Sequence, residues 1–312
     1  MTSTTVRQPT TLLEAIRFFA DEDRAFAFVL KLRWPEGNVS CPRCGHGEQS
    51  FVSTRRVWKC KGCRKQFSLK VGTVFEDSPL GWDKWLPAVW LIANSKNSIS
   101  SHELARSLGV TQKTAWFMLH RIRDAMATGT FQKLSGTVEV DETYVGGQAK
   151  FMHKDVRARK ITGTGGVDKV AVQGARHREG ARVQATVVAA TDAATLQGTV
   201  REWVEPGSAV FTDQAAAYKG LDDDYAHKTV DHSHEYVSGI VHTNGIENFW
   251  ALLKRALKGT QTHVAPEHLH RYVTERTFAY SHCTDSDLSR MRAAVVGANG
   301  RRLTWKQLTT HG

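Results

Sequence analysis

Val241–Thr260 reads VHTNGIENFWALLKRALKGT. Ile246, Phe249, Trp250, Leu252, Leu253 and Leu257 recur at helical spacing, which predicts a helix over Gly245–Lys258. Asn244 is a candidate N-cap and Gly259 a candidate stop. Glu247 would lie in the first turn, where the helix dipole favours a carboxylate. Lys254 follows two turns later on roughly the same face. Taken alone, this is an amphipathic helix with solvated charges. Whether its polar face carries chemistry depends on what the rest of the chain brings to Glu247.

Upstream, Thr137–Tyr144 (TVEVDETY) alternates as a strand, with Val138 and Val140 on one face and Glu139, Asp141 and Thr143 on the other. Lys169–Gly174 and Arg182–Ala190 read as strands joined by a turn around Arg176–Gly180. Ala193–Glu205 reads as a helix, Ala209–Phe211 as a strand ending in Thr212-Asp213, and Ala215–Lys219 as a helical turn. Lys228–Val230 adds a possible last strand. This order matches an α/β fold, a ribonuclease H-like core with a mixed sheet flanked by helices. Asp141 and Asp213 then fall on neighbouring strands, and Glu247 completes an acidic cluster. Close carboxylates stay ionised only where cations bridge them. Hard oxygen donors suit Mg2+ or Mn2+, and two such ions can clamp both oxygens of a phosphoryl transfer.

Each acid has a plainer alternative. Glu139 and Glu142 rival Asp141 on the same strand, Asp213 could cap the turn that follows it, and Asp222–Asp224 reads as a solvated turn. Among His227, His232, His234, His242, His263, His268 and His270, only His242 is kept near the site. Lys150–Asp168, basic and glycine-rich, is expected to be a loop able to lie along phosphates, and Phe131–Ser135 a linker.

The amino-terminal third has a different character. Thr11–Lys31 reads as one or two helices. Cys41, Cys44, Cys60 and Cys63 follow as C-x2-C-x15-C-x2-C, the spacing of a tetrahedral zinc held by two knuckles, with Gly45 and Gly62 supplying turn freedom. Short alternating segments between and after the pairs complete a zinc-ribbon layout. Four thiolates leave no open position for water, so the zinc is structural. Arg43, Arg55, Arg56, Lys59, Lys61, Arg64 and Lys65 surround the ligands as a phosphate-contacting surface or a solvated rim. Pro79–Asn94 reads as a helix disturbed by Pro87, with Trp82, Trp85 and Trp90 forming a small core. Ser100–Met126 has a helix-turn-helix layout: a helix over Glu103–Ser107, a turn at Leu108-Gly109-Val110, and a second helix capped by Thr111. Gln112, Lys113, Thr114 and Arg121 are expected to face DNA.

Composition sets the same limits. The 312 residues fit about two domains, and the formal net charge of +11 favours a polyanionic partner. No run of eighteen apolar residues occurs, so no membrane partner is expected. The N-terminus lacks the pattern of a signal peptide. Four clustered cysteines and a lone Cys283 indicate metal binding in a reducing compartment, the cytoplasm.

The stretches RWPEG before CPRCG, WKCKGCRKQFS, VEVDETYVGG, FTDQAAAY and HTNGIENFWALLKR together resemble DDE-type insertion-sequence transposases that carry a zinc ribbon, in the subgroup with an added lysine. Where that family usually has an arginine-asparagine pair near its end, this chain has Phe278-Ala-Tyr-Ser-His282. The resemblance implies Asp141, Asp213, Glu247 and Lys254 as the catalytic set, with Asn244 assisting. It also implies Mg2+ or Mn2+ on the three acids, and two-step cleavage and joining of inverted-repeat ends to double-stranded target DNA by a homodimer or larger assembly at the nucleoid. The expected domains are residues 1–75 (helix and zinc ribbon), 76–130 (helix-turn-helix) and 131–312 (ribonuclease H-like catalytic domain). A DNA-binding regulator without catalysis and a ribonuclease H-fold nuclease are the alternatives.

Overall fold

The computed structural model describes residues 7–127, 132–146, 153–160, 169–230 and 242–310. They form two compact units: residues 1–129 with 284–312, and residues 130–283.

The first unit begins with α1 (Leu12–Phe19), opened by a capping box between Thr11 and Glu14, and α2 (Glu22–Arg33), capped by Asp21. Three short strands follow, β1 (Gln49–Val52), β2 (Val57–Cys60) and β3 (Gln66–Ser68), paired antiparallel in that order. Trp58 on β2 joins them to α2. Its ring stacks with Phe26 and Phe67 at 5.7 Å each and meets Phe51 at 5.0 Å. α3 (Trp82–Asn94) runs through Pro87 and buries Trp82, Trp85 and Trp90, the small core expected of them. α4 (Ser101–Leu108) is longer than expected. Ser100 caps it, and Gly109, at φ +64, turns the chain into α5 (Gln112–Ala125), which Thr111 caps.

The last residues join this unit, whereas the sequence alone assigns them to the catalytic span. Here α10 (Asp287–Val296) leads into a segment that bonds back to residues 72–76. The Val74 amide donates to the Ala298 carbonyl, the Gly300 amide donates to the Gly72 carbonyl, and Thr73 bridges Asn299. The short α11 (Trp305–Thr309) closes with its own capping box.

The second unit is built on a five-stranded sheet of order β6-β5-β4-β7-β8. It comprises β4 (Thr137–Val145), β5 (Val170–His177), β6 (Val183–Val188), β7 (Ala209–Asp213) and β8 (Ala226–Val230). β4, β5 and β6 pair antiparallel, while β4–β7 and β7–β8 pair parallel. α6 (Lys154–Lys160) occupies part of the stretch expected to be a loop, since Lys, Arg and Ala are good helix formers. Residues 150–152 and 161–168 of that stretch lie outside the described residues. Leu134, expected in a linker, is instead buried and bridges Val204.

The alternation read in β4 is the alternation observed. Val138 and Val140 pack with Val210, Leu196 and Val200 beneath α7 (Ala193–Trp203). On the opposite face Val172, Ile246, Phe249, Trp250 and Leu253 join α8 (Asn244–Ala256) to the sheet, with α9 (Leu269–Ser281) adding Val273. Fully burying each such side chain is worth about 1.5–3 kcal/mol. α8 differs from expectation at both ends. Thr243, not Asn244, is its N-cap residue, and Gly259 does not stop it. A π-helical turn over Leu257–Gln261 continues the helix, and Thr262 ends it at a positive φ of +61.

Candidate active site

Asp141 lies midway along β4, and Asp213 is the last residue of β7, its parallel neighbour. The β4–β7 register runs Thr137–Ala209, Val138–Val210, Glu139–Phe211 and stops, and each aspartate lies two residues beyond that last pair. Both project from the face that packs α8, by the same alternation that buries Val140 on the other side.

Asp141 is partly buried, and its Oδ2 accepts a hydrogen bond from the Trp250 indole N–H at 2.9 Å. Burial is the largest influence on this carboxyl and pushes its pKa up to about 7. The charges of Glu142 and Asp213 push the same way, and the indole pulls against them. Gly174, paired with Asp141 on β5, is what lets the indole come so near. A Cβ there would stand 2.6 Å from the Trp250 ring.

Asp213 folds back on its own turn, its Oδ1 accepting from the Ala215 amide at 3.0 Å. Glu142 points to the other face of β4 and accepts from the buried Tyr218 hydroxyl at 2.5 Å. Its carboxyl is also raised, chiefly by burial and further by Asp213.

Glu247 is exposed in the first turn of α8 and accepts from the Thr243 hydroxyl at 2.9 Å. Asn244 is exposed at the first helical position, and Lys254 is half-buried one turn past Trp250. The structure therefore brings Asp141, Glu142 and Asp213 into mutual electrostatic range, with Trp250 on the Asp141 face and Tyr218 on the Glu142 face. The three carboxylates Asp141, Asp213 and Glu247 do not close to ligand spacing. Among the described residues only the four cysteines do so, with all sulfurs within 4.8 Å of one another.

Glu139, a rival for Asp141, has another task. It is fully buried and takes the Ile246 amide on Oε2 at 2.9 Å, one of the first-turn donors that α8 cannot satisfy internally. On Oε1 it takes Arg178 Nε at 3.0 Å, with Arg176 and His242 Nδ1 each at 3.6 Å. Arg178 also donates to the His242 carbonyl at 2.7 Å. This network was missed from sequence. Its signal was a second acid on the Asp141 face of β4, opposite Arg176 on β5. His232 and His234 lie outside the described residues.

The cysteines satisfy the zinc reading. Zn–S bonds of about 2.3 Å in a tetrahedron set sulfurs roughly 3.8 Å apart, and Cys41–Cys63 and Cys44–Cys60 are 3.8 and 3.6 Å apart. Gly45 is left-handed at φ +75, as expected. In the second knuckle the left-handed residue is Arg64, and Gly62 matters for space, because its Cβ would stand 2.9 Å from His46. Arg56 pairs with Glu22 and Asp23, while Arg43, Arg55, Lys59, Arg64 and Lys65 remain exposed.

On α5, Gln112 and Lys113 are exposed and Thr114 is half-buried. Arg121 is not available to DNA. It is 5% exposed, donates to the carbonyls of Leu303 and Glu76 at 3.0 and 2.9 Å, and lies over the Phe117 ring. The returning carboxyl-terminal segment covers it.

Residues 133–281 match the ISXO2-like transposase domain, nearly the bounds of the second unit. Residues 20–66 match the transposase zinc-ribbon domain. An uncharacterized protein in transposable element ISH50 of Halobacterium salinarum is 31% identical over 255 residues, 78% of this chain and 85% of that protein. An uncharacterized transposase-like protein of Haemophilus influenzae is 31% identical over 119 residues, 38% of this chain and 96% of that protein. With the ribbon, the strand-borne acids and a relative aligned over most of both chains, this protein belongs to the DDE-type insertion-sequence transposases that carry a zinc ribbon.

Proposed function

We propose that this chain binds the terminal inverted repeats of an insertion sequence, cleaves its ends and joins them to target DNA by metal-dependent phosphoryl transfer on a ribonuclease H-like domain. One observation carries the reading. Two aspartates sit two residues beyond the last pair of neighbouring parallel strands, and Trp250 of α8, the helix that also carries Glu247 and Lys254, donates to one of them.

The donor set suits Mg2+ or Mn2+, being hard oxygens in a region that penalises uncompensated negative charge. Asp141, Asp213 and Glu247 would hold the ion, with Asn244 beside them. When bound, it supplies charge neutralisation and Lewis acidity for an in-line displacement. The chain's own groups supply orientation. The Trp250 N–H holds Oδ2 of Asp141 and fixes the orientation of the carboxyl, and the Lys254 ammonium would stabilise charge on a non-bridging phosphate oxygen. Water breaks a phosphodiester bond and frees a 3′-hydroxyl. That hydroxyl then forms a bond to a target phosphorus as another P–O bond breaks, so no protein nucleophile is required.

The ribbon and the α4–α5 pair, read as a helix-turn-helix, would grip the repeats through Gln112, Lys113 and Thr114. Two ends must be joined, which calls for at least a dimer on DNA. The test is strand transfer with labelled repeat ends and Mg2+. Wild type should give joined product, while Asp141→Asn, Asp213→Asn and Glu247→Gln should bind the ends without cutting them. Tight binding by an inactive wild type would favour a regulator, and cleavage without joining a nuclease.

A further inference from the structure

A crevice of about 460 Å³ opens in the first unit between the first zinc knuckle, the loop after β3 and the segment after α10. Arg33, Arg301 and Arg302 line it. Arg33, the last residue of α2, donates to the carbonyls of Leu69 and Val71 at 2.7 Å each and stacks on the Trp34 ring at 4.4 Å. Arg301 donates to the carbonyl of Ala127. These acceptors are neutral, so they position two guanidiniums without cancelling their charge. The carboxylate in the lining, Glu76, takes the Gly72 amide at 2.8 Å and offsets part of the charge of Arg33, leaving Arg301 and Arg302 in excess. Arg302 pairs with Asp77, and both side chains are more than half exposed, an arrangement that water and salt weaken.

The crevice is also shaped at two glycines. Gly72 is left-handed at φ +76, and a Cβ there would stand 2.8 Å from Pro42 and 3.2 Å from Arg33. Gly300, at φ +72, faces open space on the other wall. Each guanidinium carries five donors in a planar fork suited to phosphate oxygens. Arg43, the residue after Pro42, is exposed.

We propose that this crevice clamps a backbone phosphate of the DNA held by the first unit, with Arg302 exchanging Asp77 for the phosphate. It rests on the DNA-binding reading above and adds a contact that neither the ribbon ligands nor α5 supplies. Arg33 and Arg301 hold backbone carbonyls, so the test falls on Arg302 and Asp77.

Binding of the full chain to its repeat ends is measured across a salt series. Loss of one phosphate contact lowers the slope of log affinity against log salt by about 0.9. Arg302→Ala should show that loss with wild-type zinc content and an unchanged unfolding midpoint. Arg302→Lys should recover most of the slope, and Asp77→Asn, by freeing Arg302, should tighten binding. A wild-type slope in Arg302→Ala overturns the clamp while leaving the transposase reading intact. So does thermal stabilisation by inorganic phosphate that Arg302→Ala abolishes without any change in the DNA slope. Failure of the wild type to bind repeat ends at all removes both.

Discussion

The indole N–H of Trp250 donates to Oδ2 of Asp141 at 2.9 Å, tying the middle of α8 to the strand that carries the first acid. The same carboxyl is pushed up to about 7, mainly by burial. Its folded pKa therefore lies above the ordinary 3.8, so between those values the folded state binds more protons than the unfolded one. Metal-free protein should lose stability as pH rises through that window, by at most roughly 4 kcal/mol at about 1.4 kcal/mol per unit. A divalent cation should raise the melting temperature more at pH 8 than at pH 5. Trp250→Phe keeps an aromatic ring, though a smaller one, but removes the donor that favours the ionised form. Its Mn2+ affinity at pH 7 should fall several-fold and recover at higher pH. Identical melting profiles for wild type and Asp141→Asn would contradict this account.

Gly174 makes that contact possible. In Gly174→Ala the new methyl would meet the Trp250 ring at 2.6 Å, well inside van der Waals distance. Overpacking of this kind costs about 1–3 kcal/mol. Denaturant unfolding should show that loss, and Mn2+ binding should weaken as the indole leaves Asp141. Normal Mn2+ affinity in a destabilised protein would show that the indole can shift without disturbing the acid.

Glu139 lies on the Asp141 face of β4 yet serves α8. It is fully buried, takes the Ile246 amide and compensates Arg178 and Arg176. Glu139→Gln can still accept from Ile246 but leaves two guanidiniums without their shared counter-charge, a change that typically costs about 3–5 kcal/mol. The loss should fall on the second unit, so limited proteolysis should cut within residues 130–283 while zinc content stays at one per chain. Undiminished stability would mean that solvent compensates the arginines.

Where a segment's environment is set by its own periodicity, the sequence reading holds. The alternation of β4 placed Val138 and Val140 opposite Glu139 and Asp141 before any partner strand was known, because side chains on a strand have period two. The cysteine spacing is legible for a similar local reason, since a knuckle is one tight turn. The misreadings come from distant partners. Asn244 is the better intrinsic cap, but Glu139, more than a hundred residues earlier, holds the Ile246 amide and the helix starts one residue sooner. Arg121 looked exposed because the segment that covers it arrives 182 residues later. Leu134 looked like linker until Val204 paired with it.

The zinc reading makes a separable demand. Cys41, Cys44, Cys60 and Cys63 have sulfurs within 4.8 Å of one another, and Trp58, beside Cys60 on β2, anchors α2 through Phe26. Cys60→Ser removes one thiolate and should abolish stoichiometric zinc. The stack between Trp58 and Phe26 should loosen with it, seen as a shift in tryptophan emission, and affinity for repeat ends should drop at least tenfold. Full zinc content in this variant would sink the four-cysteine assignment.

Arg121 and Lys113 sit on one helix and should behave oppositely. Arg121 donates to Leu303 and Glu76 carbonyls inside the first unit, and burial lowers its pKa. Arg121→Ala strands two buried carbonyls and removes the cation over Phe117, at about 1–3 kcal/mol for each acceptor left unsatisfied. It should lower the melting temperature by several degrees and leave the salt slope of DNA binding unchanged below the melting range. Lys113 is exposed, with its ammonium 4.6 Å from the Trp305 ring. Lys113→Ala should leave stability within about 0.5 kcal/mol, as most surface substitutions do, and reduce the salt slope by about 0.9. If Arg121→Ala lost slope at full stability, the buried arginine would have to reach DNA after all, and the carboxyl-terminal segment would have to move aside to let it.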